Sequence, residues 1–125
     1  MYLADAWQDY EILDAGNGNK LERWGQVRLL RPDPQAVWPM QEPRSVDARY
    51  IRSASGGGHW EYAKALPESW AIQYRDLTFQ VRPTGFKHTG LFPEQAVNWE
   101  WMAETICRAG RPIRVLNLFG YTGGA

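Results

Sequence analysis

Ile113-Arg-Val-Leu-Asn-Leu-Phe119 runs straight into Gly120-Tyr-Thr-Gly-Gly-Ala125. The first part is a short, mostly apolar run that reads as a buried strand, and the second is a glycine-rich turn. Upstream, Pro93 opens a helical pattern, with Glu94 where the positive end of the helix dipole favours an acid. Val97, Trp101, Met102, Thr105 and Ile106 follow at helical spacing as one apolar stripe. Arg108 falls in the last turn, Gly110 stands at the C-terminal cap and Pro112 lies beyond it. A helix, a buried strand and a glycine-rich turn, in that order, begin a doubly wound α/β sheet. Nothing follows that could pair with strand 113–119, so this end reads as cut from a larger protein.

The preceding 83 residues have a different texture. Tyr10-Glu-Ile-Leu-Asp14 alternates as a strand does, and Ala15-Gly-Asn-Gly-Asn19 is a turn of residues that accept positive φ. Val27-Arg-Leu-Leu-Arg31 is a second short strand, stopped by Pro32. A short helix is expected over Pro34 to Trp38, ended by Pro39, and a helical turn or loop over Ser45 to Arg52. Gly56-Gly-Gly58 is a flexible joint, and His59 to Tyr62 a third strand. Trp70-Ala-Ile-Gln-Tyr74 and Leu77-Thr-Phe-Gln-Val-Arg82 form a hairpin about Arg75-Asp76, with Leu77, Phe79 and Val81 on one face.

Composition narrows the function classes. The chain has 125 residues, enough for one compact domain and hardly for two. Seven Trp, six Tyr and four Phe mean that much of the core is aromatic, with ring N–H and O–H groups needing partners. Fourteen basic residues balance fourteen acidic ones, which excludes a polybasic protein held to nucleic acid by bulk charge. The one cysteine, Cys107, cannot form an intrachain disulfide and reads as a small buried helix residue; a reducing cytoplasm fits. No apolar run approaches the roughly 20 residues of a membrane helix, and no signal peptide is visible at the start. His59 and His88 stand too far apart in sequence, without a Cys/His pair, to suggest a metal site.

The charge is uneven along the chain. Residues 44–92 carry seven bases and four acids, interleaved with Tyr50, Trp60, Tyr62, Trp70 and Tyr74. Arginine among aromatics is what single-stranded nucleic acid binding uses. Arg44, Arg49, Arg52 and Arg75 are the candidate RNA contacts, set against the plainer reading of a solvated face over core rings.

The glycine turn admits several readings. A phosphate-cradling P-loop requires Lys and Ser/Thr after its glycines, which are absent. A dinucleotide site requires G-x-G-x-x-G, whereas the spacing here is G-x-x-G-G. The turn after the first strand of a class I methyltransferase is a third reading, and an ordinary strand-to-loop turn a fourth. A second polar segment, Lys87-His-Thr-Gly-Leu-Phe-Pro-Glu-Gln95, precedes the helix. Gln95 and Asn98, spaced i, i+3, can both face the turn after Phe119.

Taken together, Thr89-Gly-Leu-Phe-Pro-Glu-Gln95 and Val115-Leu-Asn-Leu-Phe-Gly-Tyr-Thr-Gly-Gly124 resemble S-adenosylmethionine-dependent methyltransferases of the 23S ribosomal-RNA large-subunit type. Asp9-Tyr-Glu-Ile-Leu-Asp-Ala-Gly16, Lys20-Leu-Glu-Arg-Trp-Gly25 and Arg31-Pro-Asp-Pro-Gln-Ala36 resemble a bacterial subgroup of the same type. The resemblance implies an α+β chain. A small β-rich domain, strand-strand-helix-strand-strand, over residues 1–83 would precede the first helix and strand of a Rossmann-like methyltransferase domain over residues 84–125. It implies S-adenosylmethionine as cofactor, with Phe119, Gly120, Tyr121, Thr122 and Gly123 under its methionine part and Asn117 at the edge. Thr89 and Gln95 would help close the pocket, and RNA would be the substrate. The sequence departs from the family's Thr-Gly-x-x-x-Asp-Gln-Arg pattern at Pro93-Glu94-Gln95-Ala96, which removes an Arg contact. The family's ribose-binding acid, acceptor-site Pro-Pro segment and catalytic Cys are not among these residues, so no catalytic residue is expected here. The alternatives are a β-rich RNA- or protein-binding module without catalysis, and a nicotinamide oxidoreductase, which the glycine spacing disfavours.

Overall fold

A computed structural model describes residues 3–124. Seven strands form in chain order: β1 Tyr10–Gly16, β2 Asn19–Trp24, β3 Val27–Pro32, β4 Ala48–Arg52, β5 Gly58–Tyr62, β6 Trp70–Tyr74 and β7 Leu77–Val81. A single 3-10 turn, Pro93–Gln95, leads into α1, Ala96–Ala109. Strands β1 to β5 make one sheet in sequence order, antiparallel throughout except for the parallel β3–β4 pair, and β6–β7 make a separate antiparallel hairpin.

Local chemistry explains the turns. Asn17 and Gly18 join β1 to β2 with φ of 51° and 71°, the two positive values that a two-residue hairpin of this hand requires. Gly16 is fixed by close approach: a Cβ there would lie 2.5 Å from the Met40 Cβ. Leu13 is bulged out of the β1–β2 register, between Ile12 opposite Glu22 and Asp14 opposite Leu21. Gly110 ends α1 in the left-handed conformation, as the sequence predicts.

The core is aromatic, and it draws on both ends of the chain. Trp24, Leu29, Ile72 and Val81 are fully buried, and Leu91, Ala96 and Trp99 join them. Trp7 packs 4.7 Å from the Tyr74 ring and 6.2 Å from Trp99, while Phe79 stacks on Trp99 at 5.1 Å. Such pairs contribute about 0.5–1.5 kcal/mol each beyond the area they bury. Some ring N–H groups find carbonyls, Trp7 Nε1 donating to Pro93 at 3.0 Å and Trp70 Nε1 to Trp24 at 2.9 Å, whereas those of Trp24 and Trp99 are buried with no hydrogen-bond partner among the described residues.

Several expectations are corrected. The segment expected as a helix over 34–38 is a turn, because its backbone bonds elsewhere. The Trp38 and Ala36 carbonyls accept from Asn17 and Gly18, each at 2.7 Å, and Trp38 Nε1 donates to Ala15 at 2.6 Å. The loop expected at 45–52 contains β4, held between β3 and β5. Strand β2 was not expected at all. The strand-strand-helix-strand-strand plan is thus replaced by seven strands and one helix near the C-terminus. Residues 113–119 form no strand: Val115, Leu116, Leu118 and Phe119 are exposed, and no strand among the described residues lies beside them to supply a ladder. Helix α1 packs through Ala96, Trp99 and Met102, leaving Trp101, Ile106 and Cys107 on the solvent side; Cys107 is exposed, not buried.

Candidate functional site

The two motif segments meet. The Thr122 hydroxyl donates to the Gly90 carbonyl at 2.6 Å, across 32 residues of sequence. The Phe92 and Tyr121 rings lie 5.0 Å apart, and His88 meets Phe92 edge-on at 5.5 Å. A Cβ on Gly124 would stand 3.3 Å from Leu91 and 3.7 Å from Trp99, so that position takes a side chain only if the core gives way. Between the segments lies a cavity of about 280 Å³, lined by Leu91, Phe92, Gln95, Trp99, Phe119, Gly120, Tyr121, Thr122 and Gly124.

Five of the eight residues expected at a cofactor, Gln95, Phe119, Gly120, Tyr121 and Thr122, therefore line one cavity. Asn117 caps the turn before it, its Oδ1 accepting from the Phe119 N–H at 3.2 Å. Gly123 adopts a φ of 87° and donates its N–H to Gly120 at 2.7 Å, closing the turn. A Cβ on Gly120 would make only ordinary contact with the Asn117 side chain, at 3.8 Å, and its φ is not positive, so a glycine is not conformationally required here. Thr89 lies fully buried two residues before Leu91, and its Oγ1 has no hydrogen-bond partner among the described residues. Gln95 accepts from Asn98 Nδ2 at 2.8 Å, so these two side chains engage each other at the head of the helix. The sequence reading missed Gly124, whose packing against Leu91 depends on a long-range contact.

A methionine-type ligand asks for close backbone, hydrogen-bonding groups and an apolar wall. The turn 120–124, the Gln95 amide and the exposed Phe119 and Tyr121 rings supply these, whereas Thr89, expected to help close the pocket, is fully buried and does not line the cavity. Among the described residues no group of three His, Cys, Asp or Glu could hold a metal ion.

The four arginines expected at RNA are not brought together. Arg44 is exposed in the loop before β4. Arg49 and Arg52 lie three residues apart on β4 and so point to opposite faces; Arg49 pairs with Glu42 at 3.2 Å. Arg75 sits in the β6–β7 turn and bonds Glu100 of α1 at 2.8 Å.

Beneath the 84–90 loop lies a polar network that the sequence reading did not anticipate. Glu22, with no exposed surface, accepts from Arg31 Nε at 2.6 Å, from Arg31 Nη2 at 2.7 Å and from the Tyr10 hydroxyl at 2.7 Å. Arg31 also donates to the Lys87 carbonyl at 2.9 Å and lies over the Trp24 ring. The sheet thereby holds the segment that runs on into Thr89 and Gly90. Burial, with Glu22 adding to it, pushes the Tyr10 phenol far above its usual value.

No family model and no curated protein matches the sequence. Among solved structures, the chain is similar to the SAM-dependent methyltransferase from Agrobacterium tumefaciens, at 41% identity and a TM-score of 0.85. The match covers 94% of this chain and 39% of that one, so the chain spans well under half the length of the methyltransferase it matches. The seven strands and the helix therefore reproduce a portion of a SAM-dependent methyltransferase chain.

Proposed function

We propose that these residues form part of a SAM-dependent methyltransferase that methylates a base of ribosomal RNA in the cytoplasm. The observation that carries the reading is the junction of the Thr89–Gln95 and Phe119–Gly124 segments around one cavity, tied by Thr122 to Gly90. The likeness to the Agrobacterium tumefaciens enzyme supports it. Residues 1–83 form the β-rich unit and residues 84–125 begin the Rossmann-like unit, with α1 leaning on the core of the first through Ala96 and Trp99. The exposed run Val115 to Phe119, which forms no strand here, would become one on pairing with the rest of a methyltransferase sheet.

When bound, S-adenosylmethionine supplies an electrophilic methyl group on sulfur. Gly123 and Gly124 keep the turn free of side chains, while Thr122 fastens it to the Gly90 loop. Gln95 offers an amide to the polar end of the ligand. Phe119 and Tyr121 shield the ligand from water.

The test is transfer of a labelled methyl group from S-adenosylmethionine to ribosomal RNA by the full-length protein. Label in the RNA is the expected result. Label in protein or small molecules alone would overturn the RNA assignment, and no transfer to any acceptor would overturn the enzyme assignment.

A further inference from the structure

A second cavity, of about 320 Å³, opens on the far side of the 84–90 loop. Its volume is in the range of roughly 300–1,000 Å³ usual for small-ligand sites. Arg52, Lys87 and His88 contribute its polar groups, Tyr50 and Phe86 its rings, and the glycine turn at 56–57 its rim. We propose that this cavity holds one nucleotide of a single-stranded RNA, with its phosphate on Arg52 and Lys87 and its base against Phe86.

The proposal rests on the RNA reading above and assigns residues to it, three of them, Phe86, Lys87 and His88, new to that role. The charge balance points to an anion. Four cations cluster here: Lys20, Arg31, Arg52 and Lys87. Glu22 neutralises Arg31, and Asp33 pairs with Lys20 at 3.9 Å. Arg52 is exposed, with no ion pair or hydrogen bond from its side chain among the described residues. Lys87 Nζ reaches only the Pro32 carbonyl at 3.5 Å. Arg52 and Lys87 thus carry no ion pair among the described residues, Asp33 offsets Lys87 only in part, and no acidic side chain lines the opening. Burial depresses the Lys87 pKa, and the repulsion of Arg52, Lys20 and Arg31, only partly offset by Asp33, adds to it; that repulsion is what a bound phosphate relieves.

The ring is held in place. Trp60 Nε1 donates to the carbonyls of both Thr84 and Phe86, at 2.8 and 3.0 Å. Arg31 grips the Lys87 carbonyl from below at 2.9 Å. Phe86 is nevertheless 67% exposed, an apolar ring on a fixed backbone facing solvent. Gly56 and Gly57, at φ of 97° and 73°, leave the rim without side chains, so a sugar–phosphate strand can lie close. Stacking plus phosphate pairing is the sequence-tolerant mode of single-strand binding.

The experiment titrates the full-length protein with a fluorescent single-stranded oligoribonucleotide at several salt concentrations. The set is wild type, Arg52→Ala with Lys87→Ala, Phe86→Ala, and Arg108→Ala, exposed on α1, as a variant outside the cavity. The double variant is expected to bind at least tenfold more weakly and to flatten the slope of log K against log salt by about 0.7, the value for one single-strand phosphate contact. Phe86→Ala is expected to bind roughly tenfold more weakly with an unchanged slope. Wild-type binding that survives both variants would overturn the site and leave the RNA reading standing. A wild-type protein that does not bind the oligoribonucleotide would overturn both.

Discussion

Glu22 faces Leu29 across the β2–β3 ladder, yet its carboxylate reaches Arg31, the diagonal neighbour two residues on. A buried carboxylate with one paired guanidinium and one phenol has its charge satisfied; removing it strands Arg31 in the core. Glu22→Ala is expected to cost about 3–5 kcal/mol in urea unfolding, and Glu22→Leu with Arg31→Met much less. Equal losses would mean that packing, not charge, governs the site. His88 is the second informative residue. Burial lowers its imidazole pKa below the usual 6.5, and Lys87, Arg31 and Lys20 add to the effect. The neutral ring is favoured by the fold, so stability is complete above pH 6.5. Below that, the unfolded chain takes a proton that the folded one resists, and stability declines until the lowered folded value is reached. His88→Asn should flatten this decline; parallel stability–pH curves for the two proteins would contradict it. Neither residue's role was legible in the sequence. Glu22 reads as a solvent-facing polar residue, and only the ladder register shows which side it faces.

The β6–β7 hairpin was legible because Leu77, Phe79 and Val81 alternate with polar residues about a two-residue turn. Strand β2 was hidden because its inward positions include Glu22 and its outward ones do not look different. Helix α1 was placed correctly by Pro93 and Gly110, but its buried face was not. Trp99 is pulled in by Trp7, Phe79 and Tyr74, partners remote in sequence, while Trp101 is left outside. Run 113–119 has strand composition but no strand beside it among the described residues, and composition alone does not make a ladder. The site's two segments were legible as motifs, whereas the bond joining them was not. Thr122→Val removes the hydroxyl that donates to Gly90. One such bond contributes about 0.5–1.5 kcal/mol, so S-adenosylmethionine affinity of the full-length protein should fall about two- to tenfold. Unchanged affinity would show that the loop and turn are held together by the rings alone.

At the scale of the whole molecule, an aromatic core joins the β-rich part to the first helix of the proposed methyltransferase unit, and the proposed cofactor cavity lies beside that junction. The RNA arginines read from the sequence are spread over two sheets and a loop, so a shared face of these four does not exist. The central claim is that the Phe119–Gly124 turn binds S-adenosylmethionine. Gly123 tests it cleanly: its φ of 87° excludes a β-branched residue, while nothing within 4 Å would be displaced from the core. The measurement is calorimetric titration of S-adenosylmethionine into the full-length protein and its Gly123→Val variant, with near-ultraviolet circular dichroism reporting the tryptophan core. The account predicts clear binding by the wild type, no detectable binding by the variant, and the same core spectrum in both. Equal affinity in the two proteins would contradict it.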